Sequence, residues 1–272
     1  MTAPLPTASR WNTYRRSKYP KLWDGCVGAW CPSLGVTGAR LHDYSQRMAW
    51  ATPTAYGATN WAVERGGYAY DFKSGEYATT GVNGPTGDRA VSLWYRSYYT
   101  FTAIEQYDIF LSFGQNSTDQ NFSIGKAALS AWGGPTVPRI FVTQNGNSIS
   151  VTQTDNLWHH VCATNTGSTW SLFIDGALVE TKSMNTTNTA GPIMISAYPG
   201  AALVSSGHYT DDIRVYSRVL HPEEIRLLAT RRAIAYEPVY RPAYYTETDA
   251  GGGGVAKPVL FHSYYMSQGM RP

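Results

Sequence analysis

Acidic and histidine side chains are the residues of this chain whose types could support hydrolysis. Glu105 and Asp108 are the nearest acidic pair in the middle of the sequence. Cleavage of a glycosidic bond needs two carboxylates that face one another across that bond. Residues three apart on one strand point to opposite faces of a sheet. We therefore interpret Glu105 and Asp108 as turn and edge residues.

His159 and His160 are adjacent histidines that follow Trp158 in a segment with strand character. Neighbouring strand residues face opposite ways, so we expect one of them to be partly buried and hydrogen-bonded and the other to lie on the outer face. No G-x-S-x-G motif for a nucleophile accompanies them. The sequence therefore predicts no catalytic residue and a protein that is not an enzyme. Four further histidines lack the spacing of a shared metal site: His42, His208, His221 and His262.

The elements that must position these side chains are predicted best in residues 211–229. Ile213 and Val215 alternate with polar residues, as in a strand with one buried face. Pro222 suits the first position of a helix, where its missing N–H costs nothing. Ile225 and Leu228 then supply the apolar face of a short helix. A strand followed by a short terminal helix is therefore predicted.

Short strands and tight turns account for most of the remaining chain. The 272 residues are 43% apolar, with 26 glycines, which suits one large all-β domain. Asp175-Gly176 and Asn145-Gly146 are hairpin signals, because glycine adopts positive φ without strain. The predicted strands are residues 27–30, 67–72, 76–79, 90–96, 108–113, 121–124, 139–144, 148–152, 157–164, 170–174, 178–182, 193–197 and 211–216.

Several blocks of this chain resemble the laminin-G-like, concanavalin A-like jelly-roll family in order and spacing. The resemblance covers residues 22–230 and implies an all-β jelly-roll β-sandwich with one short C-terminal helix. The blocks are LWDGCVGAWCPSLGVTG from Leu22, GGYAYDFKSGEYATT from Gly66, RAVSLWYRS from Arg89, NLWHHVCAT from Asn156, TWSLFIDGALV from Thr169 and DDIRVYSRVLHPEEIRLLA from Asp211.

The resemblance also implies a candidate site for a structural Ca²⁺. Related sandwiches hold this ion between an early Asp-x-Ser turn and the Asp before the last strand, and the matching residues are Asp43, Ser45 and Asp211. Oxygen ligands from separate loops suit calcium. Arg47 follows this turn closely and disfavours a cation, so Asp43 and Asp211 could equally cap turns. The E-x-D-x-x-E pattern of glucanases on this fold is absent, and the Trp-His pair belongs to the family's structural signature.

Aromatic side chains at loop tips are candidates for glycan contact, because a flat ring can stack on the apolar face of a sugar. Trp132 is followed by two glycines and a proline in AWGGP, and Tyr198 lies in AYPG. Trp50, Tyr56 and Trp61 are further candidates. Most aromatic residues of a sandwich belong to its core or cover its edges, so a structural role is the alternative for each of them.

Positive charge is concentrated at the two ends of the chain. Residues 1–22 carry five basic and no acidic residues, and residues 231–272 carry five basic and three acidic residues. The segment between them has 12 basic and 16 acidic residues. We predict a basic N-terminal arm at 1–21, a sandwich at 22–230 and an aromatic, proline-containing C-terminal arm at 231–272, with a flexible joint at Gly251–Gly254.

The extended arms are expected to bind a neighbouring molecule, because aromatic and arginine side chains are favoured anchors of interfaces. The alternative is that the C-terminal arm folds back on its own sandwich. Arg15 and Arg16 could contact phosphates, but without a nucleic-acid-binding motif we expect protein partners. The candidate partner contacts are Arg10, Trp11, Arg15, Arg16, Tyr236, Tyr240, Tyr244, Tyr245, Phe261, Tyr264 and Tyr265.

Three functions follow from these patterns. The first is a structural and interaction protein of a tailed-bacteriophage virion, in the capsid or an appendage, with other virion proteins and copies of itself as partners. Segments 27–30, 32–35, 37–38 and 231–237 resemble those of LamG-like proteins encoded among phage and prophage structural genes. The second is an adhesin that binds host or matrix glycans. The third, and weakest, is a glycoside hydrolase.

The expected location is the virion, after synthesis in the host cytoplasm. The first residues lack the apolar core of a signal peptide, and no stretch reaches the length of a membrane span. Cys26, Cys31 and Cys162 are an odd set without metal-ligand spacing, and we expect buried free thiols.

Overall fold

Two antiparallel β-sheets form a sandwich with one short helix, so the predicted all-β jelly-roll fold is confirmed. The computed structural model describes residues 17–45, 51–53, 60–64, 67–97, 106–115, 121–128, 137–144, 147–184, 190–199 and 207–237. The strands are β1 Cys26–Trp30, β2 Ala51–Pro53, β3 Trp61–Glu64, β4 Gly67–Lys73, β5 Ala78–Asn83, β6 Arg89–Ser97, β7 Gln106–Gly114, β8 Asn121–Ala128, β9 Arg139–Gln144, β10 Asn147–Thr152, β11 His159–Thr166, β12 Thr169–Ile174, β13 Ala177–Ser183, β14 Pro192–Ile195 and β15 Gly207–Tyr216. The helix α1 is Pro222–Leu228.

The two sheets pack face to face around an apolar core. Sheet A has the strand order β13-β12-β11-β6-β15-β4-β3, and β1 also pairs with β15. Sheet B has the order β10-β9-β8-β7-β14-β5-β2. Alternate residues of both sheets point into the space between them, where an apolar core includes Leu93, Phe110 and Ile124. This interlayer core supplies most of the hydrophobic stabilisation of the sandwich.

A second apolar core covers the outer face of sheet A. Ile225 and Leu228 of α1 pack there against Cys162 and Phe173 of the sheet. Pro222 occupies the first turn of α1, and the carboxylate of Glu224 accepts a hydrogen bond from the N–H of His221 at 2.8 Å. The predicted helix is therefore confirmed, with its apolar residues on the buried side.

The last strand contains an irregularity that its sequence pattern does not predict. Ile213 and Val215 belong to the interlayer core and Arg214 lies on the outer side, as the alternation predicts. Before them, the pairing of β15 with β6 shifts register between Asp211 and Arg214, and Asp212 has a φ of +45°. This β-bulge re-aims the two aspartates.

The predicted hairpin at Asp175-Gly176 connects β12 to β13, with φ values of +49° and +80°. Asn145 and Gly146 lie outside the described residues. Cys26, Cys31 and Cys162 are buried free thiols, which confirms that prediction. No helix in the described ranges is long and apolar enough to span a membrane.

The packed body extends beyond the predicted sandwich boundaries at residues 22 and 230. Ile234 and Ala235 are buried in the second core, where Trp23 also packs. Ser17 donates a hydrogen bond to the carbonyl of Ala235 at 2.6 Å. The N–H of Lys18 donates to the carbonyl of Glu237 at 2.7 Å. Residues 17–21 and 231–237 are therefore part of the body rather than of the arms.

Candidate functional site

Polar side chains are concentrated between the two sheets at one end of the sandwich, which we call the polar end. β7 contributes Asp108 near its start and β8 contributes Lys126 near its end. β15 contributes His208 and β11 contributes His159, each at or next to the first residue of the strand. The antiparallel order of the strands brings these termini to the same end, and the period of two turns the side chains inward.

Asp108 joins the two sheets at the polar end. It lies opposite Lys126 in the β7–β8 ladder and is almost fully buried. Its carboxylate accepts hydrogen bonds from Ser97 Oγ at 3.2 Å and from the N–H of Gly207 at 3.0 Å. The expectation of a turn or edge residue is therefore wrong for Asp108, because β7 lies between β8 and β14. Glu105 lies outside the described residues.

Lys126 is fully buried and holds the chain that follows β10. Its Nζ donates to the carbonyl of Asp155 at 2.8 Å and to Oε1 of Gln153 at 3.3 Å. Burial disfavours the charged amine and lowers the pKa of Lys126, while the nearby Asp155 and Asp108 act in the opposite direction. The side chain of Lys126 therefore fixes the position of residues 153–155.

His159 bridges two carboxylates. Its Nδ1 lies 2.7 Å from Asp175 Oδ2, and its Nε2 lies 2.7 Å from Asp155 Oδ1. Burial disfavours the charged imidazolium and by itself would lower the pKa of His159. The hydrogen bonds to Asp175 and Asp155 have the larger combined effect, so the pKa of His159 is raised. Burial also opposes ionisation of Asp155, yet bonds from His159, Leu157 N–H and Gln153 lower its pKa to about 2. Both ring nitrogens are occupied, so neither is free to transfer a proton to a substrate.

His160 and His208 are fully buried and neutral. His160 faces the outer side of sheet A beneath α1, with Nε2 at 2.8 Å from Ser92 Oγ. His208 faces the interlayer core between the rings of Phe72 and Phe110. Burial lowers the pKa of each imidazole to about 3. These environments suit packing rather than acid–base chemistry.

The predicted calcium ligand Asp43 has both carboxylate oxygens occupied by protein donors. Oδ1 accepts from the N–H groups of Ala29 at 2.9 Å and Ser45 at 2.8 Å. Oδ2 accepts from Ser45 Oγ at 2.8 Å. Asp43 therefore fixes its own turn against β1, and Ser45 serves the same turn.

The carboxylate of Asp211, the third predicted ligand, lies next to backbone N–H donors and the guanidinium of Arg232. Its Oδ1 accepts from the N–H groups of Ser33 at 3.0 Å and Asp212 at 2.8 Å, and its Oδ2 lies 3.3 Å from Arg232 Nη1. Burial raises the pKa of Asp211 to about 7 although Arg232 opposes that shift. No group of three or more His, Cys, Asp or Glu in the described ranges is arranged to hold a metal ion. Asp43, Ser45 and Asp211 do not fit Ca²⁺, because a guanidinium and backbone N–H groups occupy the positions that a cation would need.

The two predicted glycan contacts are placed differently. Trp132 lies outside the described residues. Tyr198 is half-buried and packs on the outer side of sheet B against Ile109, Ala127 and Phe141. This packing agrees with the structural role that the sequence left as the alternative, and the glycan contact of Tyr198 stays a prediction.

Sequence reasoning missed a surface on the outer face of sheet A, which we call the ladder surface: Glu64, Arg96, Trp158, Tyr209 and Arg232. All five residues are half-buried as a whole, but the side chain of Arg232 is only 7% exposed. The Arg96 guanidinium lies 4.5 Å from the Tyr209 ring centroid, and that of Arg232 lies 4.4 Å from the centroid of Trp158. Glu64 accepts hydrogen bonds from Arg96 at 2.9 Å and from Trp158 Nε1 at 3.4 Å. Rings, a carboxylate and guanidinium groups thus share one partly exposed surface.

Nothing in the local sequence could have identified the ladder surface. Its residues come from β3, β6, β15 and two connecting segments, so they meet only through the strand order of sheet A. Arg96 is opposite Tyr209 in the β6–β15 ladder, which is the one contact that a correct strand pairing would have predicted.

Of the predicted partner contacts, the structure describes Tyr236. Its ring packs at 4.9 Å from Trp23 and 5.3 Å from Tyr44, and Arg214 lies 4.6 Å from its centroid. Tyr236 therefore serves the packed body. The other predicted contacts lie outside the described residues: Arg10, Trp11, Arg15, Arg16, Tyr240, Tyr244, Tyr245, Phe261, Tyr264 and Tyr265.

Comparison with known proteins supports the fold independently. A family model described as the concanavalin A-like lectin/glucanases superfamily matches residues 72–226. No curated protein matches the chain in sequence.

Similar solved structures include the botulinum neurotoxin serotype D binding domain, with 13% identity, a TM-score of 0.55, 76% of this chain and 51% of that chain covered. A structure on botulinum neurotoxin type C and two ganglioside molecules has 13% identity, a TM-score of 0.55, and 77% and 51% coverage. The binding domain of botulinum neurotoxin DC in complex with SialylT has 12% identity, a TM-score of 0.54, and 76% and 52% coverage. The chain spans about half the length of these structures, and the likeness shows the fold alone.

Proposed function

Because this chain belongs to the concanavalin A-like lectin/glucanase superfamily, we propose that it is a non-catalytic interaction protein whose sandwich is displayed and whose terminal arms attach it to a larger assembly. The finer proposal is a virion component of a tailed bacteriophage, in the capsid or an appendage. Its partners are then other virion proteins and copies of itself, and its location is the virion.

The observation that carries this proposal is that both ends of the packed body lie side by side. Ser17 and Lys18 are hydrogen-bonded to Ala235 and Glu237. Lys18 and Arg231 also form ion pairs with Glu237, at 3.2 and 2.8 Å. The two described ends, Ser17 and Glu237, are therefore adjacent on the packed body, and a single neighbouring surface can receive both arms. Two linked contacts on one partner raise the effective affinity above that of either alone.

The polar end supports the non-catalytic part of the proposal. Asp108 is buried and bonded to Ser97 and Gly207, and His159 has both nitrogens engaged. A glycoside hydrolase would need two accessible carboxylates at this kind of position. The half-exposed carboxylates at this end, Asp155 and Asp175, are both hydrogen-bonded to His159 and instead hold loops and strand ends together.

The proposal is tested by removing residues 238–272, which leaves residues 231–237 in place. We expect the shortened chain to keep the circular dichroism and cooperative unfolding of the full chain but to lose self-association or binding to particles. Sedimentation with virions and light scattering measure these properties. Equal association of both chains would contradict the attachment role of the C-terminal arm.

Glycan binding is the second candidate function, and the ladder surface is the observation that favours it. Trp158 and Tyr209 present partly exposed rings beside the hydrogen-bonding groups of Arg96 and Glu64. Rings flanked by polar groups suit sugars, which have both apolar faces and hydroxyls. Among the similar structures, botulinum neurotoxin type C depends on interaction with two ganglioside molecules for cell entry, and the binding domain of botulinum neurotoxin DC forms a complex with SialylT.

A glycan array with the full chain tests this second candidate. We expect retention of glycans to fall at least tenfold in Tyr209→Ala, whereas Tyr68→Ala, another half-buried tyrosine on sheet A, keeps it. Equal retention by both variants, or none by the full chain, would remove the ladder surface as a glycan site.

A further inference from the structure

The strands at the edges of the two sheets differ in how well they are protected. Sheet A ends in β13 and β3, and sheet B ends in β10 and β2. An edge strand exposes backbone N–H and C=O groups that can pair with another chain. β2 has three residues and ends in Pro53, and β3 has four residues. β13 is longer, with seven residues and no proline.

The edge of β10 is covered by charged side chains of β13. Glu180 Oε2 accepts a hydrogen bond from the N–H of Ser150 at 3.0 Å, and Lys182 Nζ donates to the carbonyl of Ser148 at 2.8 Å. The residues opposite Glu180 and Lys182 in β12 belong to the interlayer core, so both charged side chains point toward sheet B. Sheet B is therefore protected along this edge.

The edge of β13 itself stays open, since it pairs with β12 alone in the described part of the chain. The N–H of Met184 donates to the carbonyl of Ser168 at 2.8 Å, so Ser183 and its partner in β12 form a non-hydrogen-bonded pair. Pair types alternate along an antiparallel ladder, which gives Thr181 the same state. The backbone groups of Thr181 and Ser183 therefore point away from β12. All residues of β13 except Glu180 are exposed.

Apolar side chains lie on the same strand. Leu178 is 57% exposed and Val179 is 40% exposed. Leu178 is opposite Phe173, which packs in the second core, so Leu178 lies on the outer side of sheet A. Exposed apolar side chains on an unprotected edge suit the addition of a strand. We call this surface the open edge: Leu178, Val179, Thr181 and Ser183.

The C-terminal arm contains one segment whose sequence suits the open edge. Residues 259–266 read VLFHSYYM and include no proline, glycine or acidic residue, and no lysine or arginine. Aromatic and β-branched residues favour strands. The eight residues match the seven of β13 in length. This segment lies outside the described residues, so its pairing is inferred from its sequence.

The linker before this segment is long enough to reach another molecule. It comprises the 21 residues 238–258, which include the four glycines 251–254. Fully extended, such a linker spans up to about 70 Å. Neighbouring strands are only about 4.8 Å apart, so the segment can reach its own β13 or that of a neighbour. The proposed attachment function selects the neighbour.

We propose that the open edge of β13 receives residues 259–266 of a second copy of this chain as an added strand. The proposal rests on the attachment role of the C-terminal arm and gives that arm its receiving surface. Backbone hydrogen bonds to Thr181 and Ser183 supply affinity, and apolar contacts with Leu178 and Val179 select the register. The donor and receiving surfaces differ, so the contact is heterologous and joins copies head to tail.

Light scattering of the full chain over a range of concentrations tests the role of β13. Thr181→Pro removes an outward N–H, which an edge strand tolerates, and should weaken self-association at least tenfold. Thr181→Val is the matched control. It loses the same hydroxyl contact with Ser171 at 3.1 Å but keeps the N–H, and it should associate as the unchanged chain does.

The outcomes separate this inference from the attachment function. Equal association of the unchanged chain and both Thr181 variants would overturn the pairing at β13 and leave the attachment role of the arm intact. A full chain that does not associate at any concentration would remove both.

The donor segment is tested without any change to the packed body. Phe261→Pro prevents continuous pairing of residues 259–266 and should reduce self-association as strongly as removal of residues 238–272 does. Tyr244→Pro places the same substitution in the arm but outside the segment, and it should leave association unchanged. Equal association of these two variants would overturn the assignment of the segment.

Cross-linking distinguishes a neighbour's arm from the chain's own arm. The three natural cysteines are buried, so a short bis-maleimide reacts with introduced cysteines in preference. A mixture of Thr181→Cys chains and Ser263→Cys chains should give cross-linked pairs that contain one chain of each kind. Cross-links found only within a single chain that carries both substitutions, or none at all, would overturn the proposal.

Discussion

Arg214 and Asp212 form an ion pair that is almost fully buried beneath the C-terminal segment. Arg214 Nε donates to Asp212 Oδ1 at 2.8 Å, and Asp212 Oδ2 accepts from the N–H of Ala233 at 2.9 Å. The guanidinium lies between the rings of Trp23 and Tyr236, at 4.8 and 4.6 Å from their centroids. One charge pair thus connects the bulge of β15 to both end segments of the body.

Asp212→Asn should destabilise the protein by about 3 kcal/mol, because it leaves the buried charge of Arg214 unpaired. Asparagine tolerates the positive φ of +45° at this position, so the change adds no backbone strain and acts through the side-chain contacts alone. Urea unfolding gives the free energy. In an Arg214→Met background the same substitution should cost much less, and an equal cost in both backgrounds would show that the pair is not coupled.

His159 makes stability depend on pH in a defined window. Its pKa is raised in the folded state, so its contribution is complete below the unfolded value of about 6.5 and is lost as pH rises through the folded pKa. Asp155 has its pKa lowered to about 2, so its contribution is complete above about 3.9 and is lost as pH falls toward 2. Both contributions are therefore complete between about pH 4 and 6.5.

His159→Gln should lower the free energy of unfolding by about 1 kcal/mol at pH 5.5, a modest value because half of each carboxylate partner is exposed. The loss should shrink at an alkaline pH above the raised folded pKa of His159, where the imidazole is neutral. Urea midpoints at the two pH values measure it. A loss that is the same at both would mean that the charge of His159 does not stabilise the fold.

The helix α1 depends more on the carboxylate of Glu224 than on that of the neighbouring Glu223. Glu224 caps the first turn through the N–H of His221 and binds Arg218 with both oxygens, at 2.7 Å each. Glu223 is exposed, and its position in the first turn gives only a small dipole contribution.

Glu224→Ala should therefore destabilise the protein by about 1–2 kcal/mol, because it removes a cap and a bidentate ion pair. Glu223→Ala should stay within about 0.5 kcal/mol of the unchanged protein. Chemical unfolding of the two variants measures the difference. Similar losses in both would mean that α1 is held by packing alone.

The strands and α1 were predictable because their signals are local. Alternation placed Ile213 and Val215 in the core, and Pro222 marked the start of the helix. The bulge at Asp212 was not predictable, since it depends on the register of β15 against β6. Asp108 was misassigned because the strand order that makes β7 central is a property of the whole sheet. The ladder surface was missed because its five residues meet through several strand pairings.

For the whole molecule, the chain segments around Ser17 and Glu237 determine where the body ends. Trp23 Nε1 donates to the carbonyl of Ala235 at 3.1 Å, and Ile234 and Ala235 are buried. The boundary predicted at residue 230 fell short because the sequence after α1 lacks periodic apolar residues. Its burial depends on Trp23 and Tyr44, which are remote in sequence.

Two truncations should consequently behave differently. Removing residues 231–272 exposes the second core and removes the stacking of Tyr236 on Arg214, so we expect a loss of several kcal/mol or failure to fold. Removing only residues 238–272 should leave the unfolding midpoint within about 2 °C. Differential scanning calorimetry compares them, and equal midpoints for both would contradict a body that reaches Glu237.

The most direct test of the account is light scattering of the full chain beside a chain reduced to residues 17–237. The account predicts that the reduced chain is a folded monomer with cooperative unfolding, while the full chain associates with itself or with virion proteins. A reduced chain that associates as the full chain does, or a full chain that stays a monomer and binds no particle, would contradict it.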